Sequence, residues 1–240
     1  MPLISSIILH YKRPENVNKW IAGIRNQTIE SKIIVWDNSG DYPAGSGEDV
    51  LIRSTENFYC IPRILIAGLC KTEYIYNQDD DLEITDKKLF EKFIAHSKAY
   101  PDYVIGWNGR IFSKDINWEK AYQSPEKGFV DYQNSADKTS IDMINFGVSF
   151  LRTELINQIP INAYTNKLNV TDEELIYGDD IWVSYFLKKK RTIDFNLRNS
   201  YNYLNEYEER KAALSKQPPH MDCRNSICVK LFKGKYYGRN

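Results

Sequence analysis

The sequence has no excess of either charge, because its 32 Lys and Arg residues balance its 32 Asp and Glu residues. A net charge of zero provides no long-range attraction to nucleic acid or to an anionic membrane surface. Cysteine is also scarce, with 4 residues in 240, and their spacing does not resemble the dense disulfide framework of small secreted domains. The composition therefore predicts reduced thiols and a cytoplasmic protein.

Long apolar runs are missing as well. The first apolar run, Leu3 to Leu9, is interrupted by serines and has no basic leader, so it is too short for a signal peptide or a spanning helix. No later segment approaches the length of a transmembrane helix, and we expect no integral membrane segment. A chain of this length with 42% hydrophobic residues can form one sizeable α/β domain.

The first hundred residues alternate short apolar segments with segments of helical periodicity. Strands separated by helices of this length indicate βαβ units, a mostly parallel sheet and helices on both faces of it. The predicted fold is therefore α/β and Rossmann-like. Strands are expected at Ile4–Leu9, Lys32–Trp36, Val50–Arg53, Tyr74–Gln78 and Tyr103–Trp107, and helices after Pro14, over Ile61–Leu69 and after a capping residue, Asp86.

The second half of the chain is less regular. Ser113–Asp142 is polar with little periodicity and is expected to form a long loop. Apolar content returns at Met143–Leu151, and a helix is expected over Ile181–Leu187. From Lys188 onward the chain is basic and rich in tyrosine, and it is interpreted as a tail.

Three adjacent carboxylates, Asp79-Asp80-Asp81, follow the apolar segment Tyr74–Gln78. Like charges at this spacing repel, so the cluster costs stability unless a divalent cation and the phosphates it bridges relieve the repulsion. The carboxyl ends of strands are also where open α/β sheets hold their ligands. The alternative interpretation is a solvated acidic turn.

Two further polar clusters fall at predicted element edges, Asp37-Asn38-Ser39 and Asp179-Asp180. In a parallel sheet, groups at the carboxyl ends of strands converge on one crevice. The first cluster would hydrogen-bond a nucleobase or ribose, the triple aspartate would hold a metal on a diphosphate, and Asp179-Asp180 would accept a proton. This division of roles describes transfer from a nucleotide-activated donor.

The order of these motifs resembles that of GT-A-fold glycosyltransferases of the family 2 type, with a weaker likeness to exostosin-type domains in the second half. Ser6–Pro14 resembles their first strand and donor-base loop, and Ile33–Ser39 their second strand. Asp79-Asp80-Asp81 stands at the position of their DXD motif. Asn145–Phe150 resembles the segment that faces sugar and acceptor, and Gly178–Trp182 resembles the acidic pair that opens a helix.

The resemblance implies a glycosyltransferase that depends on Mn²⁺ or Mg²⁺ and uses a nucleotide-sugar donor, with a UDP-sugar favoured. Residues 1–110 would form a nucleotide-sugar-binding half and residues 111–240 an acceptor-binding and catalytic half with a basic C-terminal tail, within one continuous domain. The predicted site residues are Tyr11, Arg13, Asp37, Asn38, Arg63, Asp79 and Asp80 for the nucleotide, Trp107, Asn108, Arg110, Gly147 and Trp182 for sugar or acceptor, Asp81 and His220 for the metal, and Asp180 and Asp179 for catalysis.

An acceptor hydroxyl needs a base within hydrogen-bond reach, and Asp180 is the predicted base if the reaction inverts. Asp179 replaces the more usual Glu of the family, which leaves the choice within the pair open; the pair is alternatively a helix cap. A metal on Asp81 would stabilise the departing diphosphate. His220 is either a second metal ligand or an exposed histidine of the tail.

Several alternatives stay open at the level of sequence. The acceptor is a glycan, a small molecule or a hydroxymethylated base of DNA, and the basic segments Lys188–Arg191 and Lys230–Arg239 would suit a phosphate backbone. Nucleotidyl transfer is less favoured because His10–Pro14 contains no glycine to cradle a triphosphate. A non-catalytic nucleotide-sugar-binding module is a further possibility. Family 2 likeness favours inversion and exostosin likeness favours retention.

Overall fold

The structure is a computed structural model that describes residues 2–112, 116–122, 129–131, 140–192, 195–204 and 217–237. Its strands in chain order are β1 (Ile4–His10), β2 (Ser31–Asp37), β3 (Val50–Arg53), β4 (Tyr74–Gln78), β5 (Leu82–Ile84), β6 (Tyr103–Phe112), β7 (Phe129–Asp131), β8 (Ser140–Ile141), β9 (Met143–Arg152), β10 (Lys189–Thr192) and β11 (Tyr201–Tyr203). Its α-helices are α1 (Pro14–Arg25), α2 (Pro62–Leu69), α3 (Leu89–Ala99), α4 (Ile161–Asn166), α5 (Asp172–Phe186), α6 (Phe195–Arg198) and α7 (His220–Tyr237).

Nine of the strands in the described ranges form one sheet, in the order β3-β2-β1-β4-β9-β6-β10-β8, with β7 added to β6. Strands β1 to β4 are mutually parallel, β6 is parallel to β10, and β9 runs antiparallel between β4 and β6. A separate two-stranded ribbon pairs β5 with β11. The prediction of an α/β fold with a mostly parallel central sheet is confirmed.

Both faces of the sheet are covered by helices, so its central strands are buried on both sides. On one face α1 and α3 pack through residues such as Trp20 and Phe93. On the other face α2, α5 and α7 pack through residues such as Ile66, Trp182 and Ile227. Burial on both faces explains why the parallel strands are nearly continuous apolar runs in the sequence, with no strict alternation of polar and apolar residues.

Helix α5 is longer than the sequence pattern predicts, and it contains a break. It begins with a capping box, in which the Thr171 side chain accepts from the Glu174 N–H and the Glu174 carboxylate accepts from the Thr171 N–H. The backbone leaves helical geometry at Gly178 (φ −146°, ψ 35°) and becomes helical again at Asp179. A Cβ at position 178 would lie 2.3 Å from Cδ1 of Ile227, so α7 packs closely against the break.

Helix α7 falls in the segment that the sequence pattern describes only as a basic tail. Besides Asn225, its buried residues come in pairs four positions apart, and this spacing is the helical signal in the sequence. The pairs are Cys223 and Arg224, Ile227 and Cys228, and Leu231 and Phe232.

Three local predictions differ from the structure. The predicted loop Ser113–Asp142 contains β7, β8 and a short 3₁₀ helix at Trp118–Lys120, while residues 113–115, 123–128 and 132–139 lie outside the described part of the chain. Asp86 does not cap α3; its carboxylate accepts from the Lys88 N–H in the turn before that helix. Lys190 is buried in β10 and donates to the Ser184 carbonyl, so it is not part of an exposed basic patch.

No helix within the described residues is long and apolar enough to cross a bilayer.

The Glu174 carboxylate joins α5 to α7, and replacing it by Gln should destabilise the fold in a pH-dependent way. Burial raises the pKa of Glu174, but hydrogen bonds from Lys230 and Ser226 outweigh burial and lower this pKa below its ordinary value. The stabilisation is therefore present above the ordinary value of 4.5 and is lost as the pH falls through the lowered folded-state value. We expect Glu174→Gln to reduce the free energy of unfolding by about 1–2 kcal/mol at pH 7.

The measurement is urea unfolding at pH 7 and near pH 3.5, where the difference between Glu174→Gln and wild type should shrink. Asp102→Asn is the matched control, because the Asp102–Lys189 ion pair is exposed and contributes little to stability. An equal loss at both pH values would contradict the ionic role of Glu174.

Candidate active site

A cleft with a volume of about 430 Å³ opens at the edge of the sheet where β1, β2 and β4 end. Its walls come from the loops after these strands, the first half of β9, the break in α5 and the start of α7. This is the edge at which open α/β sheets hold their ligands. Of the residues predicted from sequence, the cleft is lined by Tyr11, Arg13, Asn38, Arg63, Asp79, Asp80, Asp81, Gly147, Asp179, Asp180 and His220.

Two arginines neutralise part of the triple aspartate. Arg13 Nη2 lies 2.8 Å from Asp80 Oδ1, and Arg63 Nη2 lies 2.7 Å from Asp79 Oδ1. Arg63 also donates to the Phe146 carbonyl at 2.8 Å, which connects α2 to β9. Burial raises the pKa of Asp80 to about 7; the Arg13 charge opposes this rise, and the neighbouring carboxylates add to it. The expected repulsion among the three carboxylates is therefore present, and the two arginines offset part of it.

Gly147 leaves room for Asp79 at the base of the cleft. The Asp79 N–H donates to the Gly147 carbonyl at 2.8 Å. A Cβ at position 147 would lie 3.1 Å from Asp79 Oδ2 and 3.3 Å from Asn145 Oδ1. A side chain at this position would thus displace the carboxylate that starts the acidic triplet.

The two aspartates of α5 have different surroundings. Asp180 Oδ2 accepts from Arg224 Nη2 at 2.7 Å within a buried ion pair, and Asp180 Oδ1 accepts from the Ile181 N–H. Asp179 is also buried, and its Oδ2 has no hydrogen-bond partner among the described residues. Burial, followed by the charge of Asp180, raises the pKa of Asp179 to about 7 against the opposing charges of Arg63 and Arg224. Asp179 is therefore the member of the pair with an unused oxygen and an elevated proton affinity.

His220 begins α7 and lies in the cleft between the edges of the Tyr122 and Tyr177 rings. Burial, together with the Arg224 charge, lowers the pKa of His220 to about 4, so its imidazole is neutral at pH 7. Its Nδ1 is buried and has no hydrogen-bond partner in the described part of the chain. Neutral imidazole is the form that binds metal ions.

A second set of potential metal ligands lies in the turn after β2. Within the described ranges, the ligand atoms of His10, Asp37 and Asp41 come within 4.8 Å of one another. Asp37 is buried, and its Oδ1 accepts from His10 Nδ1 and from the N–H groups of Ser39 and Gly40, while its Oδ2 accepts from the Tyr42 N–H. These bonds use both Asp37 oxygens to close the turn. Asp37 is fully buried and is not among the residues that line the cleft, whereas Asn38 of the same turn is, so the contact of Asp37 with a nucleobase stays a prediction.

Four other predicted residues are not part of the cleft lining. Trp182 is 1% exposed and packs against Phe186 in the core, so it does not reach the cleft. Arg110 lies behind the lining, with its guanidinium 4.1 Å from the centroid of the Tyr122 ring. Trp107 packs against Tyr201 on the other face of the sheet. The side chain of Asn108 lies outside the described part of the structure.

The cleft also contains residues that sequence reasoning did not select. The Arg224 guanidinium lies 4.1 Å from the Tyr122 ring centroid, on a ring that Arg110 also approaches. The sequence contains one indication of the role of Arg224. The four-residue spacing of α7 places this cation on the helix face that is otherwise mostly apolar, where a charged residue needs a partner. The unselected lining residues are Leu9, Tyr59, Cys60, Tyr122, Ile176, Tyr177, Gln217 and Arg224.

The fold is that of the GT-A glycosyltransferases. Matching solved structures include S. aureus TarS, with a TM-score of 0.50 and 12% identity over 99% of this chain and 44% of that one. They also include the mannosyltransferase PcManGT from Pyrobaculum calidifontis in complex with GDP-Man and Mn²⁺, with a TM-score of 0.49 and 11% identity over 81% of this chain and 55% of that one. The chain thus spans about half the length of these two proteins.

A sequence model of the glycosyl transferase family 64 domain matches residues 4–240. The chain therefore belongs to glycosyl transferase family 64. The predicted GT-A fold and the predicted resemblance to glycosyltransferases are confirmed. A search of curated proteins found no match to this sequence.

The elevated pKa of Asp179 has a consequence for stability. Because its folded-state pKa of about 7 lies above the ordinary 3.8, the folded protein binds this proton more tightly than the unfolded chain does. Wild type should therefore lose stability as the pH rises between these two values. Asp179→Asn cannot ionise, so its free energy of unfolding relative to wild type should increase from pH 5 to pH 8.

Urea unfolding at several pH values within this range measures the difference. Asp80 has a similarly raised pKa but is present in both proteins, so its contribution cancels. Asp102→Asn, an exposed aspartate remote from the cleft lining, should differ from wild type by the same amount at every pH. A difference for Asp179→Asn that does not change with pH would show that Asp179 titrates normally.

Proposed function

We propose that the chain transfers a sugar from a nucleoside-diphosphate donor to an acceptor hydroxyl with the help of Mn²⁺ or Mg²⁺. The observation that carries the proposal is the meeting of two acidic groups in one cleft. Asp79-Asp80-Asp81 comes from the end of β4, and Asp179-Asp180 comes from the break in α5. Arg13 and Arg63 lie beside the first group, where the phosphates of a donor would also be held.

The proposed metal ligands are Asp81 and His220, which both line the cleft. A carboxylate and a neutral imidazole with a buried, unpartnered Nδ1 are ligands that suit Mn²⁺, so the residues present fit the ion. The metal would stabilise the negative charge of the departing diphosphate. Arg13 and Arg63 are paired with Asp80 and Asp79, and a metal held at Asp81 would add positive charge beside them for the diphosphate.

The donor nucleotide is proposed to lie against Tyr11, Arg13 and Asn38, in the loops after β1 and β2. A UDP-sugar is the favoured donor, from the motif resemblance. The acceptor would then approach from the side of β9, where Asn145 and Gly147 line the cleft.

An acceptor hydroxyl that attacks with inversion needs a base, and the acid pair of α5 provides it in this proposal. The position in the motif favours Asp180. The geometry supports Asp179, because Asp180 is held by Arg224 whereas Asp179 has an unused oxygen and a pKa of about 7. A base with a pKa near the working pH is the most effective one. Asp180 would then orient Arg224 and, through it, the start of α7.

Metal-dependent nucleotide binding is the first expected result. Titration calorimetry of UDP should show binding in the presence of Mn²⁺, with affinity at least about tenfold weaker without the metal or in Asp81→Asn, because the diphosphate charge is then not neutralised. Asp41→Asn is the matched control, since it removes one carboxylate from the His10–Asp37–Asp41 group and leaves the cleft unchanged.

Loss of binding in Asp41→Asn with normal binding in Asp81→Asn would move the metal site to the turn after β2. If UDP does not bind, then GDP, CDP and TDP are titrated in the same way. Failure of all four diphosphates to bind would contradict the proposed function.

Turnover separates an enzyme from a binding module. With water as acceptor, release of UDP from UDP-sugars should be slower by about 10²–10⁴ in Asp179→Asn, while UDP affinity stays within about twofold of wild type. The wild-type rate should rise with pH through about 7, as Asp179 becomes ionised. If the rate loss occurs only in Asp180→Asn, then the base is Asp180. NMR of the released anomer shows whether the reaction inverts or retains.

A further inference from the structure

We propose that the rings of Trp107 and Tyr203 form a binding platform for a saccharide unit of the acceptor, outside the lining of the cleft. This inference rests on the proposed function and makes it more specific. It implies an acceptor of at least two sugar residues, of which one receives the transferred sugar and another lies on the platform.

Three aromatic rings form a series from the core to the surface. The Trp107 ring is stacked on the Tyr201 ring with centroids 5.3 Å apart and an interplanar angle of 18°. The Tyr203 ring lies 5.5 Å from Trp107 at 37°. Tyr201 is 7% exposed and its hydroxyl meets that of Tyr76 at 3.1 Å, so the inner end of the series is fixed in the core. Tyr203 is 62% exposed at the outer end.

The platform lies beside the acidic triplet. The Leu204 N–H donates to the Asp81 carbonyl at 2.7 Å, and Tyr203 is paired with Leu82 across the β5–β11 ribbon. Since paired Cα atoms are about 5 Å apart and consecutive ones 3.8 Å, the Tyr203 backbone is within about 9 Å of that of Asp81. The proposed metal ligand and the platform are therefore neighbours on the surface.

The sheet order places the platform on the acceptor side of the site. The proposed nucleotide wall follows β1 and β2, on one side of β4. Trp107 belongs to β6, which lies beyond β9 on the other side of β4. Gly106 and Asn77 both pair with Ser149, so Trp107, which lies at a register shift in β6, is about level with Gln78, the residue before the acidic triplet. If the donor lies on the β1 side of β4, the platform on the β6 side is accessible to the acceptor.

The chemistry of the platform suits a sugar ring. A pyranose has an apolar C–H face with hydroxyls around its rim. The flat face of an aromatic ring can cover the C–H face while the hydroxyls stay exposed to water. Tyr and Trp combine a large rigid apolar surface with a polar tip that stays in contact with water.

The test uses saccharides alone, with no nucleotide present. Cellotriose, maltotriose, chitotriose and mannotriose are titrated into ¹⁵N-labelled protein, and the indole signal of Trp107 is followed after its assignment with Trp107→Phe. We expect at least one trisaccharide to shift this signal. Tyr203→Ala should raise its Kd by about 3- to 10-fold, because one stacking ring is lost. Tyr203→Phe should bind as wild type, because the ring face and not the hydroxyl makes the contact.

Tyr100→Ala is the matched control, because Tyr100 is a partly exposed tyrosine that precedes β6 at the opposite edge of the sheet. It should leave the Kd unchanged. The proposal is overturned if none of the four trisaccharides shifts the Trp107 signal, or if Tyr203→Ala binds them as tightly as wild type.

The same variants distinguish this proposal from the proposed function. Tyr203→Ala should bind UDP and Mn²⁺ like wild type, since it removes nothing from the cleft. If UDP binds but no trisaccharide shifts the Trp107 signal, the proposed function stands and the platform is contradicted. If a trisaccharide binds but no nucleoside diphosphate does, the platform stands as a saccharide site and the proposed function is contradicted.

Discussion

The site depends on the balance of charge among five carboxylates that share one cleft. Repulsion between like charges is strong where water is excluded, so such a group needs cations held in fixed positions. Arg13, Arg63 and Arg224 supply them, each by an ion pair of 2.7 or 2.8 Å to a different aspartate. This pairing leaves Asp179 with a buried oxygen that has no partner among the described residues. For this reason the role of base is proposed for Asp179 and not for Asp180.

The three arginines come from three different parts of the fold: the loop after β1, helix α2 and helix α7. Formation of the site is therefore coupled to the packing of these elements. Two ion pairs, Arg224 with Asp180 and Lys230 with Glu174, join helix α7 to α5, and Ile227 of α7 packs against the break at Gly178. The C-terminal helix thus holds the acid pair in place, although it lies far from the triple aspartate in sequence.

Much of the fold could be predicted from local patterns. Strands β3 and β4 have the predicted bounds, because each is an apolar run between turn formers or charged residues. The sequence pattern does not predict helix α7, because lysines and tyrosines obscure its buried pairs, and it does not predict the early start of α5, because Gly178 resembles a helix boundary. The antiparallel direction of β9 is not visible in its own sequence, since an apolar run looks the same in either direction.

Local sequence patterns are enough to predict that carboxylates follow strand ends and precede a helical segment, and the geometry of a parallel sheet then brings them together. The use of each side chain depends on tertiary contacts. Asp37 closes a turn, Trp182 lies in the core, Trp107 is next to Tyr203, and Asp180 is paired with an arginine 44 residues away. The physical reason is that hydrogen-bond and ring partners are chosen by contacts between distant segments. No local pattern of residue types encodes those contacts.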